Sequence, residues 1–383
     1  MSEFDIKDFD IKYEQIASSI QSSPYVHQFD KIRLTSSGRP VILYGAGEAA
    51  GIIISICLKN GLDITAICDS NKRGQYEKSG VILPLISPEE LVQDYHDSSL
   101  IITSWKYESE IRENLEAIGF ARENIFSFWY PQRITPKIFK DDYYNGYKWA
   151  YNFYSDDVSK QLVIDRIGSY LASIPLKPNI SHKDSVIPLD NKEVFLDGGA
   201  FDGAMVKRFV DQTNGNYRYI YALEPDTEPF LRLEKYAGDL SNTRVFNAGL
   251  DEKNGSMKFY YDGLVKSGFV SCKYFATTGE SFSDSKFKTE NKEVYSIDTM
   301  INNGLISHMP TLIHLDVQGS EIGALRGASR LIQDHKPRLV ICAYHKVQDV
   351  YELPQAILNI RGDYKFALRQ SDFGYYETVL YAY

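Results

Sequence analysis

VFLDGGAFDGAMVKRFV, residues 194–210, decides the fold of the C-terminal half of this chain. An apolar run ends on Asp197, then come Gly198, Gly199 and Gly203, and then a helical segment. Glycine lets a backbone turn sharply and approach a ligand closely, so the reading is strand, tight turn, helix. Outward from there the alternation continues. Strand candidates are EVFLD (193–197), YIYALE (219–224), TRVFN (243–247), TLIHLD (311–316) and RLVICAY (338–344). Strands alternating with helices give a parallel, doubly wound sheet. YKFALR (364–369) and ETVLYAY (377–383) flank the polar turn QSDFGYY and read as an antiparallel hairpin at the sheet edge. A plain dinucleotide-binding domain usually lacks such a hairpin.

The chemistry of the turn narrows the ligand. Asp197 stands where a carboxylate can accept from a ligand amine or a water, and Asp202 lies inside the same loop. Glu224 ends the next strand in ALEPD, where an acid can accept both hydroxyls of a ribose, and Pro225 stops that strand. A pyrophosphate favours amides without negative charge, so acids in the loop point to a cationic, phosphate-free ligand. S-adenosylmethionine, with an amine and a sulfonium, has that character.

Residues 193–383 resemble the FkbM family of S-adenosylmethionine-dependent methyltransferases. The matching pieces are DGGAFDG with its helix, ALEPD, NAGLDEKNGSMKFY, VYSIDTMI, HLDVQGSEIGALRGA, PRLVICAYH and ETVLYA, in the family's order. The resemblance implies a class I methyltransferase fold with a seven-stranded sheet. It also implies O-methylation, often of sugars or hydroxylated natural products. Carried over, Asp197, Gly199, Ala200, Phe201, Asp202 and Gly203 form the cofactor loop, Glu224 holds the ribose with Pro225 a further cofactor contact, and Asn247 to Leu250, with Gly249 among them, flank the adenine. The chain departs from the family pattern twice, with His314 where a Lys is usual and Gln318 where a Glu is usual.

Methyl transfer is an in-line displacement, so a protein supplies alignment and a route for the acceptor's proton. Candidates stand at the carboxyl ends of the strands, where ligands bind in such sheets. Asp316 ends the fourth strand and His345 the fifth, so the two face one cleft, with His345 the expected base and Asp316 its orienting partner and a cofactor contact. His314 shares a strand face with Asp316 and is a third catalytic candidate. Asp316, Glu321 and His345 are ligand types that suit Mg or Mn, but their spacing does not single out a metal site, and none is expected.

The first half repeats the pattern more loosely. VILYGAGEAAGIIISICLKNG, from residue 41, is strand, glycine turn and helix, and ITAICD ends on Asp69. VILPLI (81–86), SLIITSW (99–105) and a helix in YESEIRENLEAIGF follow. Ser87, Pro88 and Glu90 form a capping box. This part resembles Rossmann-like domains of nucleotide-sugar enzymes, which makes Gly45, Gly47 and Asp69 a candidate nucleotide site. The expected organisation is an α/β chain with two doubly wound Rossmann-like domains, 1–133 and 191–383, joined by a tyrosine-rich helical connector, 134–190.

Bulk properties set the outer limits. The chain has 383 residues and a net charge of −9, which argues against nucleic acid as a main partner. No apolar run reaches a membrane span and no signal peptide is evident, so a cytoplasmic protein is expected. Cys57, Cys68, Cys272 and Cys342 form no CxxC pair and read as reduced thiols. The leading reading is an O-methyltransferase acting on a sugar or glycan precursor. A non-catalytic nucleotide-sugar-binding module and an NAD-linked enzyme are the alternatives. The acceptor and the oligomeric state are not legible in the sequence.

Overall fold

In chain order the strands are β1 (Val41–Tyr44), β2 (Ala66–Cys68), β3 (Gly74–Lys78), β4 (Val81–Ile86), β5 (Ser99–Ile102), β6 (Ile125–Ser127), β7 (Val194–Gly198), β8 (Tyr219–Leu223), β9 (Thr243–Phe246), β10 (Gly249–Leu250), β11 (Gly255–Tyr261), β12 (Ser267–Phe269), β13 (Lys288–Tyr295), β14 (Leu312–Leu315), β15 (Arg338–Cys342), β16 (Phe366–Gln370) and β17 (Thr378–Ala382). These come from a computed structural model that describes residues 3–20, 28–36, 38–59, 61–78, 81–104, 107–127, 134–180, 186–261, 267–269, 288–372, 374 and 377–383. Cys272 lies outside the described residues.

The strands form three sheets, ordered β3-β4-β2-β1-β5-β6, β10-β13-β11-β12 and β16-β17-β15-β14-β7-β8-β9. In the third, β7, β8, β9, β14 and β15 run parallel, and β17 enters antiparallel between β15 and the edge strand β16. The hairpin expected at 364–383 is therefore present, and its second arm lies inside the sheet. This is the α/β fold with a seven-stranded methyltransferase sheet.

Register follows from burial. All five residues of β7 are buried, as a central parallel strand requires. Val194 and Leu196 point to one face, Phe195 and Asp197 to the other. On the first face, helices Glu321–Gly327, Ser329–His335 and Asp349–Ile360 complete a large core. On the second, Phe195 stacks on Phe209 of helix Ala204–Gln212 at 4.5 Å between centroids. Burying side chains of this size contributes roughly 1.5–3 kcal/mol each.

The tyrosine-rich segment is part of the C-terminal core. Helices Tyr144–Phe153 and Asp157–Ala172 pack on the first face, together with Phe9 and Tyr13 of helix Glu3–Ser19. The Tyr147 and Tyr154 hydroxyls donate to the carbonyls of Val347 (2.9 Å) and Val350 (3.0 Å). Buried Arg166 donates to Thr378 Oγ1 on β17 at 2.7 Å.

In the first half β1, β2, β4, β5 and β6 are parallel, and the capping box at Ser87 and Glu90 is made. Sequence pattern does not reveal β3: GQYEK has no apolar run, and it is held by antiparallel pairing to β4. The sheet β10–β13 is equally illegible, because KTENKEVY alternates charges around few apolar side chains.

Candidate functional site

The loop after β7 is folded by its own amides. Gly199 and Ala200 donate to the Leu223 carbonyl at 3.0 and 2.9 Å, and Phe201 donates to Glu224 Oε2 at 2.9 Å. Gly203 donates to the Ala200 carbonyl and precedes helix Ala204–Gln212, whose Ala204 amide reaches Asp202 Oδ1 at 3.3 Å. Gly199 has φ +81°, and a Cβ there would stand 1.9 Å from the Asp316 carbonyl oxygen. Only glycine lets this turn lie against the end of β14. The amides of residues 199–201 are thus spent within the chain.

Below the loop, β7 and β14 bring Asp197 opposite His314. Asp197 Oδ1 and His314 Nδ1 are 2.7 Å apart, and both side chains are buried. Burial opposes a charged His314, but Asp197, and behind it Asp316 and Glu377, outweigh burial and raise the imidazole pKa. Asp197 Oδ2 is buried and has no hydrogen-bond partner among the described residues. A buried carboxylate oxygen without a donor is costly, so this atom has accepting capacity that the described residues do not use.

Glu224 is 6% exposed and bridges two amides, Phe201 to Oε2 and Asp226 to Oε1 (2.7 Å). Burial pushes its pKa up to about 7 against the pull of those amides. Each oxygen keeps a lone pair for a further donor. Asn247 donates to the carbonyls of Glu224 (2.8 Å) and Pro225 (3.2 Å), fixing the turn after β8 against the end of β9. Gly249 is paired with Val294 of β13. Lys292 of β13, buried with the amine bonded to Thr227, closes this side. Sequence reading missed it; a lysine on the same strand face as Val294 was the available signal.

Asp316, Glu321 and His345 converge. His345 Nε2 lies 3.1 Å from Asp316 Oδ1, and its Nδ1 lies 2.9 Å from Glu321 Oε1. The His345 ring is 2% exposed. Burial would strip its proton, but Glu321 and Asp316 hold the pKa well above the ordinary value. Glu321 Oε1 also accepts the Val317 and Gly319 amides at 3.1 Å each, bracing the turn where Gln318 has φ +53° and Gly319 φ +97°. Tyr344, which the sequence reading did not single out, donates its hydroxyl to Asp316 Oδ2 at 3.1 Å. Burial would raise the Asp316 pKa, but His345, His314 and Tyr344 lower it below the usual carboxylate value. Its side chain is 27% exposed, so a charged carboxylate reaches the surface of the cleft. Glu321 thus serves the loop, and among the described residues no group of three or more His, Cys, Asp and Glu side chains is arranged to hold a metal ion.

The glycine turn of the first half is also self-contained. Gly45 donates to the Cys68 carbonyl, and Ala46 to Asp69 Oδ2 at 2.8 Å. Asp69 Oδ1 takes the amides of Asn71 and Lys72 at 2.9 Å each. The Lys72 amine closes back on the Ala46 carbonyl at 2.6 Å. A Cβ at Gly45 would meet Thr103 Oγ1 at 2.6 Å, whereas nothing stands within 4 Å of one at Gly47.

Residues 197–367 match the family model of the methyltransferase FkbM domain, and residues 38–126 match the model C2185-like, N-terminal. No curated protein sequence matches the chain. Among solved structures, the methyltransferase FkbM from Methylobacillus flagellatus KT is similar with a TM-score of 0.65 and 19% identity, covering 99% of this chain and all of that one. At that identity the likeness is one of fold. Aeropyrum pernix fibrillarin in complex with S-adenosyl-L-methionine gives a TM-score of 0.32 and 13% identity, covering 52% of this chain and 70% of that one. Among the described residues no helix is long and apolar enough to cross a membrane.

Proposed function

We propose, on the premise that residues 197–367 are an FkbM methyltransferase domain, that the protein is an S-adenosylmethionine-dependent O-methyltransferase acting on a hydroxyl of a sugar, glycan precursor or similar polyhydroxylated acceptor. The observation that carries the reading is Asp197 Oδ2, a buried carboxylate oxygen lacking a donor at the end of the first strand, beside Glu224 with a lone pair to spare on each oxygen. The two suit an amine and a ribose diol, the two recognition groups of an adenosyl amino acid. Bound there, S-adenosylmethionine supplies a methyl group already activated on a sulfonium.

The chain's own groups then divide the work. Asp197 takes the amine, and His314 holds Asp197 in place. Glu224 and the Asn247-braced turn take the ribose, with Gly249 beyond. Asp316, charged and part-exposed, would accept the hydrogen bond of the acceptor hydroxyl, align it and take its proton as the methyl carbon–sulfur bond of the donor broke and the carbon–oxygen bond formed, with S-adenosylhomocysteine as the leaving group. His345 is a positioning residue in this scheme. A ring held protonated between Asp316 and Glu321 has no free lone pair, so it fixes Asp316 rather than serving as the base. The buried unpaired thiols of Cys57, Cys68 and Cys342 suit a reducing compartment, the cytoplasm. In the division 1–133, 134–190 and 191–383, we assign the reaction to the last part. The internal closure of the Asp69 turn favours a structural rather than a nucleotide-binding role for the first.

Calorimetry with S-adenosylmethionine, S-adenosylhomocysteine, NAD and UDP-sugars tests the reading. Saturable binding of the two adenosyl ligands with none of NAD is expected, and absence of both adenosyl ligands would falsify it. Labelled methyl transfer onto a panel of glycosides then tests the acceptor class, and label appearing only on nitrogen acceptors sinks the O-methyl assignment.

A further inference from the structure

Beyond β14 the second face of the seven-stranded sheet borders a cavity of about 240 Å³. Its lining is mixed. Leu312 and Val340 are apolar, whereas Arg208, Gln212, Ser371 and Tyr381 bring polar groups to it. A compact ring with apolar faces and hydroxylated edges matches such walls, because its edges find partners and its faces lose only water. His314, Asp316 and Glu377 line the same cavity, which is therefore continuous with the site around Asp316.

Two groups there hold hydrogen-bonding capacity that the described residues do not use. The His314 side chain is 7% exposed, and its Nδ1 is turned to Asp197 on β7. On the other flank of β14 lies β15, so the ring edge that carries Nε2 is the part left for the cavity. Nε2 makes no hydrogen bond among the described residues. Burial works against a charged ring, but Asp197, Asp316 and Glu377 raise its pKa. That favours the doubly protonated imidazole, whose Nε2 is a donor. Glu377 takes the complementary role. Ser371 donates its amide to the Glu377 carbonyl at 3.0 Å and its hydroxyl to Oε2 at 3.1 Å, while Oε1 has no donor among the described residues. Glu377 holds φ +68°, a left-handed conformation that costs a non-glycine residue energy and that its neighbours impose. Val379 lies across from Cys342, and alternation puts Glu377 on the face of Val379, the face that borders the cavity.

We propose that His314 and Glu377 together read a second hydroxyl of the methyl acceptor. Nε2–H donates to that oxygen, the hydroxyl's own hydrogen goes to Glu377, and the neighbouring hydroxyl stands at Asp316. His314 and Asp316 are two residues apart on one strand face, roughly 7 Å between Cα atoms, so their side chains flank adjacent substituents of one compact group. A hydroxyl is at once acceptor and donor. A hydrogen in its place leaves both side chains unpaired, and a methoxy group accepts from His314 but gives Glu377 nothing. The acceptor class thereby narrows from polyhydroxylated compounds in general to those with two neighbouring hydroxyls, and a diol already methylated on one oxygen is refused. The inference rests on the methyltransferase reading, and its test separates the two.

The experiment titrates cis- and trans-1,2-cyclohexanediol, their monomethyl ethers and cyclohexanol into the full-length protein, with and without saturating S-adenosylhomocysteine. Binding is followed by the imidazole ¹⁵N signals, with Nε2 of His314 assigned by its loss in His314→Gln. One of the diols is expected to bind about tenfold more tightly than its monoether and than cyclohexanol, with a saturable shift of the His314 Nε2 signal. Glu377→Gln and Glu377→Gly, the second suited to the left-handed backbone, are expected to cut that preference to less than about twofold with S-adenosylhomocysteine affinity unchanged. Equal affinity for diol and monoether, no saturable shift of the His314 signal with any probe, or a preference that survives in both Glu377 variants overturns the inference. If S-adenosylhomocysteine does not bind while the diol preference and its loss in the Glu377 variants hold, the methyltransferase reading fails instead and the hydroxyl-reading pair stands.

Discussion

The chain builds the same device twice and finishes it differently. In both sheets a glycine turn leaves the first strand, its opening amide bonds the end of the second strand, and a later amide reaches an acid 23 residues on: Ala46 to Asp69, Phe201 to Glu224. In the first region the acid takes two further amides on Oδ1, Lys72 folds over the turn, and the Thr103 hydroxyl bonds the carbonyls of Tyr44 and Gly45. Burial would raise the Asp69 pKa, but the amides and Lys72 lower it. In the second region Glu224 is driven up to about 7 by burial, and Asp197 beside it keeps an oxygen without a donor among the described residues. The two turns thus share a backbone path and differ in the polar capacity left unspent under burial.

Four experiments bear on that contrast, the largest effect first. Asp316→Asn is expected to lower turnover by about 10²–10⁴ with the S-adenosylhomocysteine Kd little changed. At the matching strand end of the first sheet, Thr103→Val should leave turnover alone. Equal loss of turnover and affinity in Asp316→Asn would make it a binding group. Next, Asp197→Asn breaks a buried pair and should cost about 3–5 kcal/mol in urea unfolding. Its adenosyl affinity should fall about tenfold to a hundredfold. Asp69→Asn should leave that affinity untouched, and if it does not, the contrast between the two turns collapses.

The third concerns pH. A folded-state pKa near 7 for Glu224 lies above that of a carboxyl in an unfolded chain. The native state therefore binds more protons between the two values, and stability linked to this group falls as pH rises from about 4.5 to 7. Ionisation also frees the carboxylate to accept a diol, so S-adenosylhomocysteine should bind about tenfold tighter at pH 8 than at pH 6. Glu224→Gln should flatten both trends, and a slope surviving that change would point to another group. The smallest effect concerns paired glycines. Gly47→Ala, with open space around it, should shift stability by less than about 0.5 kcal/mol. Gly199→Ala should displace the loop from Asp316 and measurably weaken adenosyl binding.

Legibility followed the physics of each signal. β7, β14 and β15 announced themselves because central parallel strands are apolar throughout, and the closing hairpin because a polar turn parts two apolar runs. β3 and β13 did not, since GQYEK and KTENKEVY owe their places to neighbouring strands rather than to their own patterning. The turn residues Asp197, Gly199 and Glu224 could be picked out by spacing along the chain. That Asp316, His345 and Glu321 share one cluster followed only in part. Strand ends suggested the first two would meet, but no spacing says that His345 lies between two acids. Tyr344 and the cavity depend on which way side chains turn across the sheet, and sequence does not report that.

The tyrosine-rich helices and helix Glu3–Ser19 lie on one apolar face of the C-terminal sheet. The polypeptide thus leaves that core early, builds the first sheet, and comes back to it. In the topology of the gene product, the first sheet is an insertion held at both ends rather than a module hung from one linker. Cutting the chain just before residue 191 to isolate the C-terminal half would uncover the face that helix Glu3–Ser19 and residues 139–176 help to seal. Excising the looped-out lobe and splicing its two ends is the dissection that keeps the seal intact.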